Sequence, residues 1–142
     1  MPPELNELCH LCEPFRDELD FVLDIDITER ITYQANSLIQ KRFPKDLYLR
    51  QVCDYLKQPQ TAYPNKIFMV LADSAKLPFF LDYFTRHFQG RLAVTTSGPD
   101  LVEMSCEGCS KGHALLKILD QLELEREQVV AIGDEQNDLD ML

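Results

Sequence analysis

Apolar residues recur with two distinct periods along the 142-residue chain, and the changes of period divide it into segments. Leu5, Leu8, Cys12 and Phe15 form a helical stripe after Pro2 and Pro3, which suit a helix start; the pattern predicts a helix ending near Pro14 to Arg16. A two-residue alternation follows. Phe21, Leu23, Ile25 and Ile27 fall on one side and Asp24, Asp26 and Thr28 on the other, predicting a half-exposed strand. Asp46 to Lys57 places Leu49, Val52, Cys53 and Leu56 on one helical face, and Gln58 to Pro64 reads as a loop. The run Ile67 to Leu71 predicts a buried strand. Leu77, Phe80, Leu81, Phe84 and Phe88 predict a helix closed by Gly90. Leu92 to Thr96 and Leu101 to Cys106, separated by Ser97-Gly98-Pro99-Asp100, predict a hairpin. From Ser110 the character changes: a helix carrying Ala114, Leu115, Ile118, Leu119 and Leu122 leads to Val129-Val130-Ala131-Ile132, a continuous apolar run of the kind buried in parallel sheets.

Charge narrows the functional classes. The formal net charge is −10, from 14 basic and 24 acidic residues, and no basic cluster exceeds Lys41-Arg42; a nucleic-acid surface needs the opposite balance. No window approaches the roughly 20 apolar residues of a membrane span, and the N-terminus lacks a basic start and an apolar core of a signal peptide. The expectation is a cytoplasmic protein with no nucleic-acid or membrane partner. Five cysteines fit reduced thiols. Cys9, Cys12, Cys106 and Cys109 could in principle supply four thiolates to zinc, but Cys12 shares the helical stripe of Leu5 and Leu8 and reads better as a small core residue.

Two segments carry chemistry. Gly133-Asp134-Glu135-Gln136-Asn137-Asp138 directly follows the apolar run, so Asp134 lies at the carboxyl end of an expected strand, the edge where open α/β sheets bind ligands. Two carboxylates four positions apart across a turn can reach a hard cation, one directly and one through water, although Gly, Asp and Asn also populate ordinary strand-to-helix turns. Upstream, Ser110 can cap a helix whose first residue, Lys111, brings an ammonium to free N–H groups that already favour an anion. The helix macrodipole disfavours a cation there by a few tenths of a kcal/mol, which argues for function over stability at Lys111.

Gly108-Cys109-Ser110-Lys111-Gly112-His113-Ala114-Leu115, followed by Val130 to Leu142, closely resembles the third and fourth motifs of Cof-like phosphatases of the haloacid dehalogenase superfamily. More weakly, Asn65 to Cys106 resembles the second half of that family's mixed α/β cap. The resemblance implies an α/β fold in which residues 1–107 form a mixed cap of antiparallel sheet with helices on one face, joined to a partial Rossmann-like core, residues 108–142. It implies hydrolysis of small phosphate monoesters, such as sugar phosphates, through a phosphoaspartate. Lys111 and Asn137 would bind phosphate, Asp134 and Asp138 would hold Mg²⁺, and Lys111, Asp134 and Asp138 would be catalytic.

The family's first motif is an apolar strand ending Asp-x-Asp-Gly-Thr. Leu23-Asp24-Ile25-Asp26-Ile27-Thr28 mimics it, but Ile27 replaces the glycine and the acids sit on the polar side of an alternating strand. The expectation is therefore that Asp24 and Asp26 are solvent-facing cap residues and that the chain, which also stops one turn after the acidic motif, is a truncated piece with little turnover. Two alternatives remain open. One is a minimal capless phosphatase using Asp24, Asp26, Ser74, Lys111 and Asp134; the other is a noncatalytic binding module that self-associates through an unfinished sheet.

Overall fold

The computed structural model describes residues 2–25, 30–34, 37–42, 50–57 and 64–142. Its centre is a six-stranded sheet in the order β3-β2-β1-β4-β6-β5, formed by β1 (Leu19–Asp24), β2 (Arg30–Thr32), β3 (Arg50–Gln51), β4 (Lys66–Leu71), β5 (Leu92–Gly98) and β6 (Leu101–Cys106). Every neighbouring pair is antiparallel except β2 and β3. The helices are α1 (Pro2–Cys12), α2 (Ser37–Arg42), α3 (Val52–Leu56), α4 (Leu77–Phe88) and α5 (Lys111–Gln121). Among the described residues, no helix is long and apolar enough to cross a membrane.

Period-two alternation sorts the strand residues onto two faces. Phe21 and Leu23 of β1, Ile67, Met69 and Leu71 of β4, and Val102 and Met104 of β6 point into one core with Leu5, Leu8 and Cys12 of α1 and Phe80, Phe84 and Phe88 of α4. Edge-to-face contacts of Phe15 with Phe79, Phe80 and Tyr83 extend this layer, with centroids 5.2–5.9 Å apart. Pro78 near the start of α4 and Gly90 just beyond its end, at φ +74°, give that helix its limits. The opposite face carries Val22, Val70 and Leu101, covered by Ile39 of α2. The helices therefore do not all lie on one face as expected, and β1 is buried on both sides for most of its length rather than half-exposed. Val22 and Asp20, which alternation assigns to the polar side, are both fully buried; the Asp20 carboxylate accepts N–H bonds from Phe21 (2.8 Å) and Gln34 (2.9 Å).

Two further expectations need correction. The helix read over Asp46 to Lys57 is reduced to α3, preceded by the short strand β3, because β2 recruits Arg50 and Gln51 into the sheet; Leu49 lies outside the described residues. The apolar run Val129 to Ile132 is extended at Val129 but joins no sheet among the described residues. Val130 and Ile132 are 86% and 87% exposed, while Val129 and Ala131 turn toward α5 and line a depression with Leu115, Leu116 and Leu119.

Candidate functional site

The site is built where the open part of the sheet's second face meets the start of α5. Ser110 is the N-cap, its Oγ accepting the His113 N–H at 3.1 Å, and this places Lys111 in the first turn. A 3-10 turn, Gln136–Asp138, then returns the chain to the same point after the extended segment. Glycine makes the approach possible. A Cβ on Gly112 would lie 2.3 Å from the Asp140 carbonyl oxygen, and one on Gly133 would lie 2.5 Å from Asp138 Cβ.

The Lys111 ammonium donates to Oδ1 of Asp138, and Oδ2 of the same carboxylate accepts the N–H groups of Asp134 (3.3 Å) and Glu135 (3.4 Å). Asp138 is buried and Lys111 half-exposed. The Lys111 bond, aided by the two backbone donors, holds the Asp138 carboxyl below its ordinary value; the same bond, with the negative charges of Glu103 and Asp134 nearby, raises that of Lys111. Both groups are therefore charged at neutral pH. The two sequence motifs, 27 positions apart at their point of contact, are brought together by one ion pair.

In front of Lys111 is a cleft of about 440 Å³. One wall is the sheet, through Asn65 and Lys66 at the start of β4, Ala93 and Thr95 of β5, and Glu103 and Ser105 of β6; the other is α5, through Lys111, His113, Ala114 and Lys117, with Asn137 also lining it. Three lysines line it; Lys66 is paired with Glu103 and Lys111 with Asp138, and Lys117 adds a positive charge that favours a small anion.

Sequence reasoning missed Glu103 and Lys66 as site residues. The Glu103 carboxylate is 5% exposed and accepts from Lys66 Nζ at 2.7 Å, from Ser97 Oγ, and from Asn137 Nδ2 at 3.5 Å. Burial pushes its carboxyl up, but those donors outweigh burial and leave it below the ordinary glutamate value of 4.5. A depressed acid stabilises the fold above its unfolded value, and that contribution is lost as pH falls through the folded one. The melting temperature should hold from pH 7 to about 5 and fall below 4.5, and Glu103→Gln should make the fall shallower in a pH series of thermal melts. Alternation could have placed Glu103 opposite Val102 and Met104, but only the position of α5 reveals which face lines a cleft.

Other sequence candidates fall elsewhere. Asp24 is half-buried on β1, paired across the sheet with Lys66, and β1 runs antiparallel to both neighbours. It is thus not simply solvent-facing. Asp26, Ile27 and Thr28 lie outside the described residues. Ser74 is exposed beyond Leu71, at the opposite end of β4 from Lys66, on the order of 17 Å along the strand from the cleft. Cys12 is packed inside the core, where burial pushes its thiol up, and Cys106, at the end of β6, and Cys109, just beyond it, are exposed. Among the described residues, no three His, Cys, Asp or Glu side chains gather as a metal cluster, so the four-thiolate arrangement does not form there.

A model of haloacid dehalogenase-like hydrolases matches residues 12–142. The chain belongs to that family. It is similar to a Streptococcus pyogenes serotype M6 protein named as a phosphatase, 27% identical over 118 residues, covering 82% of this chain and 44% of the relative. A shorter match, 41% identical over 51 residues, is to the 5-amino-6-(5-phospho-D-ribitylamino)uracil phosphatase of Bacillus subtilis, covering 36% of this chain and 18% of the relative. The crystal structure of a haloacid dehalogenase-like hydrolase from Bacteroides thetaiotaomicron superposes with a TM-score of 0.74 at 25% identity, covering 99% of this chain and 52% of that one. The chain thus spans about half the length of relatives it resembles over most of its own.

The family implies magnesium. Mg²⁺ keeps several waters and takes one or two carboxylates together with phosphate oxygens, so it needs no dedicated cage. The exposed Asp134 carboxylate beside the Lys111–Asp138 pair fits that pattern, whereas the Asp138 oxygens are already committed to Lys111 and two backbone N–H groups.

Proposed function

We propose that this chain carries the phosphate- and metal-binding part of a magnesium-dependent phosphatase for small phosphate monoesters, with residues 1–107 acting as the specificity cap and 108–142 as part of the catalytic core. The observation that carries this reading is the meeting of Lys111, Asp138 and the Asp134 backbone at the mouth of a lysine-lined cleft. In this role Lys111 contacts a phosphoryl oxygen, Asp138 fixes its ammonium, and Asp134 ligates Mg²⁺ with Asp138 as a second carboxylate near the ion. Bound magnesium would supply charge neutralisation of the phosphoryl group. Asn137 adds an amide at the same wall, within reach of Glu103 rather than of Lys111 by its hydrogen bond.

Turnover through a phosphoaspartate needs a nucleophilic carboxylate beside these groups. Asp24, on a strand antiparallel to both neighbours, is a poor counterpart of an acid at the end of a parallel strand, so the chain alone is expected to release little from p-nitrophenyl phosphate. Robust magnesium-dependent release abolished by Asp24→Asn would instead establish the capless reading. Phosphate binding is the direct test. Inorganic phosphate titrated calorimetrically should bind the wild type and bind Lys111→Met at least tenfold more weakly, the cost of a lost charge-assisted contact. Equal affinity in the two proteins would end the proposal.

A second reading, a noncatalytic module that pairs with itself, draws on exposed Val130, Ile132, Leu139 and Leu142. Light scattering over a concentration series tests it; a monomer at every concentration speaks against it.

A further inference from the structure

The Cys106-x-x-Cys109 pair plays no part in the phosphate-binding role just described, and its local structure sets it apart from the other Cys-x-x-Cys pair. Cys9 is half-buried and Cys12 is sealed in the core, where no reagent reaches both thiols. Cys106 ends β6, Cys109 stands one residue before the cap of α5, and both are exposed. The Cys109 N–H donates to the Cys106 carbonyl oxygen at 3.0 Å, closing a four-residue turn in which Gly108, at φ +77°, takes the left-handed position. The ends of such a turn have Cα atoms less than about 7 Å apart, and a disulfide spans Cα separations of about 4.4–6.8 Å. Ser105 Oγ donates to the Cys109 carbonyl oxygen at 3.2 Å, which draws Cys109 back toward the end of β6. A Cβ on Gly108 would meet nothing within 4 Å, so the outer side of the turn is open to a reagent.

The turn is also a joint. It is the direct connection from the sheet to α5, and among the described residues α5 otherwise meets the sheet mainly through the Gln136–Asp138 turn, which packs on β5. The position of Lys111 relative to the sheet wall therefore depends on how stiff residues 107–110 are.

We propose that Cys106 and Cys109 are a reversible dithiol–disulfide site, oxidised by small-molecule disulfides such as glutathione disulfide, which fixes the joint between β6 and α5 when closed. In the first step the thiolate of one cysteine attacks a sulfur of glutathione disulfide; that S–S bond breaks, one glutathione thiolate leaves, and a mixed disulfide forms. In the second, the thiolate of the other cysteine attacks the protein sulfur of the mixed disulfide and expels the second glutathione thiolate. The two protein thiols are oxidised to a disulfide, the oxidant is reduced to two thiols, and the two protons given up by the cysteines balance the two glutathione thiolates. A dithiol reductant reverses both steps. None of this chemistry involves phosphate or magnesium, so it stands apart from the phosphatase reading.

The test treats the full chain, reduced and then freed of reductant, with glutathione disulfide at about pH 8, where thiolate is populated, followed by acid quenching, tryptic digestion and mass spectrometry. The peptide spanning 92–111 should lose two hydrogens and carry no glutathione. Cys106→Ser and Cys109→Ser, each checked for folding by thermal melt, lack the resolving thiol and should hold about tenfold more glutathione adduct on that peptide than the wild type. A wild-type peptide that stays reduced, or that accumulates the mixed disulfide as the serine variants do, would overturn the proposal. Amide exchange reads the joint: the Cys109 N–H of the oxidised protein should exchange at least about threefold more slowly than that of the reduced protein. Equal exchange in the two states would sink the claim that closure fixes the joint.

Discussion

Gly112→Ala should lower the melting temperature by roughly 5–10 °C and loosen the residues that follow Asp138, although alanine is the better helix former by about 1 kcal/mol. The new methyl would lie 2.3 Å from the Asp140 carbonyl oxygen and 2.7 Å from its carbon. These are backbone atoms, unable to swing aside as a side-chain tip can, so either α5 or the last residues must move. Overpacking of this kind costs about 1–3 kcal/mol, enough to exceed the gain in helix propensity at a first-turn position. Met141 and Leu142 both donate their N–H groups to the Asp138 carbonyl, at 2.9 and 3.3 Å, and amide exchange at those two positions should accelerate first. Gly98→Ala is the control: its Cβ would meet the Leu101 side chain at 3.6 Å, ordinary contact, and its melt should shift by about 2 °C or less. A Gly112→Ala protein that melts above the wild type would show that the close approach is not held in solution.

Lys111→Glu is expected to weaken inorganic phosphate binding more than about a hundredfold, because it both removes the attracting charge and opposes the anion. Its effect on the pH dependence of stability is more diagnostic. The new carboxylate would face buried Asp138 and the charges of Glu103 and Asp134, the groups that raise the lysine in the wild type. Like charges raise carboxyl pKa values, so folding would favour the protonated pair; that stability is present at low pH and lost as pH rises through the folded-state value. The wild type should melt lower as pH falls below 4.5, whereas the variant should melt lower as pH rises above about 5. A variant whose melting profile parallels the wild type from pH 4 to 8 would mean that Lys111 and Asp138 do not meet.

That Lys111 opens a helix was legible in the chain because Ser110 can cap it, but its pairing with Asp138 was not, since that contact depends on how the chain returns to α5 through the close approach at Gly133. The hairpin of β5 and β6 and the stripe of α4 were legible for the same reason, being local in sequence. What escaped depends on partners distant along the chain. Val129 to Ile132 has the composition of a buried parallel strand, but composition cannot supply the strands that would flank it. Asp20 and Val22 share the side of β1 that alternation marks as polar, and only the arrival of Ile39 and the turn at Gln34 buries them. Glu103 read as an ordinary polar residue of a hairpin until Lys66, 37 positions earlier, and Asn137, 34 later, closed around it.

The uncovered side chains of Val130 and Ile132 have a colloidal consequence. Bare aliphatic groups on the surface favour intermolecular association, and what opposes it in this chain is mutual repulsion from ten excess negative charges. That shield has a range of only about 8 Å at physiological ionic strength and vanishes near the isoelectric point of about 4.6. Salt and mild acid should therefore both shorten the shelf life of concentrated solutions, acid the more sharply, since it discharges the surface in the same interval that it loosens Glu103.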